Sequence, residues 1–290
     1  MDIYLHLLVQ GLAIGLLTGA LYVLVALGLT LIYGILHIVN FAHGEIYMLG
    51  AMAVFYFHVR FRLPFAVTLA LILLLSLVSG LVVERLVFRS LRGQWLQLLV
   101  ASLGISLGIQ SIGWIVFGIQ EKNVPSYLPG IVQIGVIRLP RERLLAAGVA
   151  VVLVASLYWL VYRTKVGLAM RAIEEDEETA RMLGVNANRV AAASVALAFL
   201  LAGLAGAFVA PVYSLNPGMG LDVIVMSFLV IIVGGLGSIT GTVLAGLLIG
   251  VIESVGAVMF GSEAAYGLVF LVMIAVLVVR PAGLLGSAAR

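Results

Sequence analysis

Residues 7–33 read LLVQGLAIGLLTGALYVLVALGLTLIY, an apolar run from Leu7 to Tyr33 with no charged side chain inside it. One helical crossing of a bilayer core takes about 20 apolar residues, so the run predicts a membrane helix. It is too long for a signal-peptide core, and Met1-Asp2-Ile3-Tyr4 ahead of it carries no basic segment. The segment is therefore expected to stay in the mature protein.

The rest of the chain repeats this character. Of its 290 residues 63% are apolar and 10% charged, with a mean hydropathy of +1.24. A soluble surface takes about 25% charged residues, so the composition requires lipid around most of the protein. Cysteine is absent, which excludes disulfides, thiolate metal sites and cysteine nucleophiles. Net charge is only +3, and its arginines are spread over loops with no nucleic-acid patch. Further apolar runs cover Ile46–Phe57, Phe65–Val83, Leu96–Phe117, Leu144–Val161, Val190–Ala210, Val223–Val233, Val243–Phe260 and Tyr266–Val279. The expected fold is all-α: a polytopic integral membrane protein with about eight or nine transmembrane segments. Ile46–Phe57 and Val223–Val233 are below spanning length and read as broken or half-spanning helices, which in transporters border solute pathways.

Basic residues orient the chain. With the loop Arg163–Arg189 and the C-terminus in the cytoplasm, Arg85, Arg89 and Arg92 fall there too, and that side holds ten of the 16 Lys and Arg. The longer loop Gly118–Arg143, with Pro125, Pro129 and alternating Ile131/Gln133/Gly135/Ile137, then lies outside and predicts a β-hairpin. Nine segments put the N-terminus outside, eight put it inside. Gly11/Gly15/Gly19, Gly104/Gly108 and Gly246/Gly250 have the four-residue spacing that lets helices approach closely in lipid.

Four stretches carry polar chemistry into this apolar background. Ile38–Glu45 sets Asn40, His43 and Glu45 beside Phe41 and Gly44 close to membrane depth, where each polar group is costly unless paired or hydrated. Asn40 can cap the next helix and Gly44 permits a turn. The stretch is either a broken helix lining a cavity or subunit contact, or an ordinary loop at the cytoplasmic surface. His37, His43 and Glu45 make a metal-ligand set by count, but read as loop residues; no metal, cofactor or catalytic group is expected.

The loop Arg163–Arg189 holds five basic and five acidic residues, the latter consecutive from Glu174 to Glu178. Met170, Ile173, Ala180 and Leu183 recur near helical spacing and predict one short amphipathic helix, with Gly184 as its terminator. Asn186 or Asn188 caps the next span. Such a helix can dock into a separate motor subunit; the other reading is a solvated, charge-balanced loop.

Val233-Gly234-Gly235-Leu236-Gly237-Ser238-Ile239-Thr240-Gly241 is glycine-rich but lacks the G-x-G-x-x-G spacing and the strand before it. The only lysines, Lys122 and Lys165, are in no phosphate-binding loop, so the chain has no P-loop for ATP. Irregular backbone between two helices is expected. Glu253 sits inside an apolar span, as either a functional carboxylate or a hydrogen-bonded packing group; Asp222 suits a helix start.

At these residues the sequence resembles the branched-chain amino acid ABC transporter permeases, within a superfamily that includes ribose and galactose permeases. The matching stretches are Gly28–Gly50, Arg171-Ala172 through Leu183-Gly184-Val185-Asn186 to Arg189, Val233–Gly241, and Arg280-Pro281-Ala282-Gly283-Leu284-Leu285-Gly286. Compact length is similar to the smaller of the family's two companion permeases. The resemblance implies a single permease domain over residues 1–290 in a bacterial or archaeal cytoplasmic (inner) membrane. It also implies a homo- or heterodimeric pore, two cytoplasmic ATPase subunits and a periplasmic or lipid-anchored binding protein. The coupling loop maps onto Arg171, Ala172, Ile173, Asp176, Glu177, Ala180, Leu183 and Gly184. The pathway maps onto Asn40–Glu45 and the break at Gly234, Gly235 and Gly237. Urea or amide import is the nearest rival. An ion-gradient-driven transporter, using Glu253 and His43, is the rival of a different class.

Overall fold

A computed structural model describes residues 2–286. Helix α1 (Asp2–Leu36) is followed by α2 (Ala42–Ala53), which continues without a break as a π-helical segment to Arg60. Helix α3 (Phe65–Val83) likewise runs on as π-helix to Phe88, and α4 (Trp95–Phe117) follows. Strands β1 (Ile131–Ile134) and β2 (Ile137–Pro140) form the expected antiparallel hairpin, with Ile134 opposite Ile137. The remaining helices are α5 (Arg141–Arg163), α6 (Lys165–Glu175), α7 (Glu177–Met182), α8 (Ala187–Val209), α9 (Met219–Gly234), α10 (Ile239–Phe260) and α11 (Ser262–Val279).

Among the described residues seven helices are long and apolar enough to cross a membrane: α1, α3, α4, α5, α8, α10 and α11. Helix α9 is apolar but shorter. The chain is a polytopic helical membrane protein. Two opposite ends can be told apart, one bearing the β-hairpin and the other bearing α6 and α7; they are called here the hairpin end and the loop end.

Lipid tails are as apolar as leucine, so helices in a membrane associate through close packing. The sequence provides that packing through glycine. A methyl group at Gly15 would stand 2.6 Å from Val251 Cα, and one at Gly19 would stand 2.8 Å from the Gly246 carbonyl. Gly246 and Gly250 close on Val23 and Gly19 in return. Two of the spaced glycine sets are thus the two sides of one crossing, α1 on α10. Gly104 and Gly108 meet nothing within 4 Å.

Helices α1, α2, α8, α9 and α10 form the interior, with Leu24, Leu27, Met48, Met52, Phe199 and Ile231 buried. Around them α3, α4, α5 and α11 present Leu74, Leu107, Ile115, Val152 and Leu271 outward, the apolar belt that lipid contacts.

Candidate functional site

The Asn40–Glu45 stretch is not a surface loop. Asn40 and His43 are fully buried and Glu45 is 1% exposed. The His43 Nε2 lies 3.1 Å from the Val25 carbonyl. Val25 is three turns before the end of α1, a depth of about 16 Å at 1.5 Å per residue. Helix α2 therefore starts deep inside, and residues 37–41 return there from the end of α1. His37, at φ 52°, makes the reversal in the left-handed region, which is strained for a side-chain-bearing residue.

The expected short segment Ile46–Phe57 is corrected by this geometry: one continuous helical run reaches from Ala42 to Arg60. Apolarity alone misplaced its start, because its first turn is polar and buried. Asn40 holds that turn, its Oδ1 accepting from the Ala42 N–H at 3.1 Å, while Phe41 occupies the cap position itself. Gly44 makes no turn, contrary to expectation. It lies within α2 where that helix crosses α9, against the Gly220 carbonyl, and no side chain fits between. Ser106 of α4 donates to Glu45 Oε1 at 2.9 Å. The Asn40 amide nitrogen, His43 Nδ1 and Glu45 Oε2 have no hydrogen-bond partner. Phe41 packs on Phe228 of α9, ring centres 5.1 Å apart.

The glycine-rich stretch is a break between two helices, as its composition suggests. Gly234 ends α9, and Gly235 (φ 104°) and Gly237 (φ 83°) take left-handed backbone before Ser238 caps α10. The C-terminal motif closes this break. The Leu284 N–H donates to the Val233 carbonyl at 2.8 Å and the Leu285 N–H to the Gly234 carbonyl at 3.0 Å.

The charged loop folds as two helices, where one was expected. Asp176 explains the division: its carboxylate accepts from the Glu178 and Thr179 N–H groups and from the Thr179 hydroxyl, starting α7 afresh. These bonds, led by those from Thr179, hold its carboxyl below the usual aspartate range. Gly184 (φ 88°) ends α7 as expected, with Gly184 and Val185 N–H groups bonding to Arg181 and Ala180 carbonyls. Asn186, rather than Asn188, caps α8, accepting from the Arg189 N–H at 3.1 Å.

Met170, Ile173 and Ala180 face inward, but Leu183 does not: it is 80% exposed beside Met182 at 75%. Helix α7 ends at Met182, so Leu183, at its C-cap, leaves the helical spacing that keeps Ala180 on the buried face.

Arg92 and Glu174 tie this loop to the spans. Glu84, wholly buried at the end of α3, pairs with Arg89 at 2.9 Å and Arg92 at 3.9 Å. Arg92 donates to Asn188 at 2.8 Å and lies 3.9 Å from Glu177. Glu174 of α6 reaches Gly34 of α1 and Gly237 of the break, so that a methyl at either would stand 3.1 Å from its Oε1. Burial raises the Glu174 carboxyl pKa, against the pull of Arg171. This corner borders a loop-end cavity of about 640 Å³, lined also by Tyr33, His37 and Leu236. Glu84 was not singled out from the sequence; its nearness to Arg85, Arg89 and Arg92 was the available signal.

Glu253 lies in α10 against the Tyr22 hydroxyl, its Oε2 buried without a hydrogen-bond partner. It shares a cavity of about 230 Å³ toward the hairpin end with Asp222. The structure does not bring Glu253 to Asn40–Glu45. Among the described residues no three His, Cys, Asp or Glu side chains converge as metal ligands.

Relatives share this sequence along nearly its whole length. BraD of Pseudomonas aeruginosa, a high-affinity branched-chain amino acid transport system permease protein, is 32% identical, over 98% of this chain and 96% of that protein. LivH of Escherichia coli, of the same description, is 29% identical over 94% and 93%. A probable branched-chain amino acid transport permease protein, LivH, of Methanocaldococcus jannaschii is 29% identical over 92% and 89%. No solved structure matches. Residues 11–278, from the first glycine of the α1–α10 crossing almost to the end of α11, match the family described as "Branched-chain amino acid transport system / permease component", and the chain belongs to that family.

Proposed function

We propose that this chain is a membrane-spanning subunit of an ATP-binding-cassette importer and that its solute is a branched-chain amino acid. A second permease subunit, identical or homologous, completes the pore. Two cytoplasmic ATPase subunits drive it, and a binding protein outside, periplasmic or lipid-anchored, delivers the solute. On this reading residues 1–290 are one permease domain of the cytoplasmic membrane. The loop end and the C-terminus face the cytoplasm, in keeping with ten of the 16 basic residues on that side, and the hairpin end faces outward.

One observation carries the reading. The tip of the charged loop holds Met182 and Leu183 almost fully in the open, between caps at Asp176 and Gly184 that fix its shape. Two neighbouring large apolar side chains on a rigid polar loop suit insertion into a groove of another protein. The ATPase subunits would grip α6 and α7 there. ATP-driven closure would move the loop, and Arg92 would carry the movement to α3 and α8. Glu174 would carry it to the break between α9 and α10. That break and the buried start of α2 both adjoin α9, so they can shift together and expose the path alternately to either side.

The test is uptake in proteoliposomes holding this chain, its companion permease, both ATPase subunits and the binding protein. ATP-dependent accumulation of labelled leucine, isoleucine or valine is the expected result. Accumulation of urea or a short amide instead would reassign the solute. Uptake by this chain alone under an ion gradient would overturn the importer assignment.

A further inference from the structure

The cavity around Glu253 lies within one copy of the chain, between α1, α2, α8, α9, α10 and α11 and the segment before α9. Its polar wall holds four tyrosines, Tyr22, Tyr47, Tyr213 and Tyr266, and the carboxylates of Glu253 and Asp222, beside the neutral Thr18, Ser214 and Asn216. No Lys or Arg lines it; the nearby Arg143 instead lies over the Tyr213 ring at 5.6 Å. Glu253 Oε2 is buried there without a hydrogen-bond donor. Leu21, Val25, Val223 and Met226 complete the lining on the apolar side.

We propose that this cavity binds a small primary amine with an apolar tail, its ammonium between Glu253 and the tyrosine rings. A carboxylate inside an apolar span, Glu253, with the exposed Asp222 in the same lining and no cation beside them, favours a positively charged guest. An ammonium supplies the donors that Glu253 Oε2 lacks, in charge-assisted hydrogen bonds. Aromatic faces add attraction for the same charge. At about 230 Å³ the space is below the roughly 300 Å³ at which pockets for drug-sized ligands begin, so the guest is small. The valine, leucine and methionine side chains receive its alkyl part. That the natural guest is the transported amino acid, held by its ammonium inside a single subunit, rests on the importer reading; the amine site itself rests on the cavity.

The purified full chain in lipid nanodiscs, in potassium phosphate, tests this by saturation-transfer NMR with three probes. They are leucine, 3-methylbutylamine, which lacks the carboxylate, and 4-methylpentanoate, which lacks the amine. Leucine and the amine are expected to bind and 4-methylpentanoate is not. Glu253→Gln is expected to weaken amine binding about tenfold or more, the scale of one charge-assisted hydrogen bond. Tyr266→Leu, at a half-exposed position where folding is less at risk, should also weaken it. Equal binding of 4-methylpentanoate, variants that bind like the parent, or a signal abolished by exchanging potassium for sodium would each overturn the amine site. Amine binding lost in Glu253→Gln, with no branched-chain uptake by the assembled transporter, would keep the site and remove the substrate. Leucine uptake unchanged by Glu253→Gln, without amine binding, would remove the site alone.

Discussion

The Arg92 guanidinium lies 3.9 Å from the Glu177 carboxylate, across the junction between the end of α3 and the first turn of α7. On its other side Arg92 meets Glu84, a carboxylate with no access to solvent. One arginine thus ties the charged loop to a buried charge among the spans.

Replacing Arg92 removes the partner of Asn188 and leaves Glu177 with Arg181 and Glu84 with Arg89. Arg92→Ala is expected to cost about 0.5–1.5 kcal/mol, the net contribution of one hydrogen bond, seen as a slightly lower melting temperature in detergent. Glu177→Arg places a third cation beside Arg92 and Arg181. It is expected to leave membrane insertion intact and to raise ATP consumed per solute imported by the reconstituted transporter. An unchanged ratio would mean that this contact transmits nothing.

At the α2–α9 crossing, Gly44→Ala drives a methyl into the Gly220 carbonyl. Overpacking of this kind costs about 1–3 kcal/mol. Gly104→Ala on α4 meets nothing within 4 Å and gains helix propensity of up to about 1 kcal/mol. Thermal unfolding of the two variants should move in opposite directions, and equal shifts would contradict the crossing described here.

Met182→Asp and Leu183→Asp alter side chains that touch little of their own subunit. Stability should stay within about 0.5 kcal/mol of the parent, while copurification of the ATPase subunits falls sharply. If the ATPases remain bound in parental amounts, the exposed tip is not their docking point.

The cap at Asp176 gives the loop an acid limit. A carboxylate whose folded pKa is depressed contributes stability above its unfolded value, about 3.9, and loses it as pH falls through the lower folded value. Hydrogen exchange over Glu177–Met182 should therefore stay slow at neutral and mildly acid pH and quicken only below the usual aspartate range. In Asp176→Ala the same amides should already exchange fast at neutral pH. Protection that survives this substitution would show that α7 does not depend on its cap.

Much of this was legible in the sequence because its causes are local. Hydrophobic runs report spans, so seven of the helices are where their apolar stretches lie. Gly184 and Asn186 end and start helices through bonds to residues a few positions away, and both were readable for that reason. The start of α2 was not, because its first turn is polar and its burial comes from α1, α4 and α9. Leu183 was misread because α7 ends one residue before it, and a spacing rule assumes a continuous helix. Glu84, Tyr22 and Tyr266 gave little sign of their roles. Each gains its meaning from a partner on another helix, and long-range pairing leaves no trace in the periodicity of one chain.

The contact of Leu284 and Leu285 with Val233 and Gly234 has a consequence for biosynthesis. The two carbonyls that close the glycine break receive their donors from residues that leave the ribosome only after α10 and α11. Helices α9 and α10 enter the bilayer before that, with the break between them still unlatched. Final assembly of the loop end must therefore wait for the segment that follows α11. A chain truncated after Arg280 would hold all seven of the described spans and yet leave this joint unfinished.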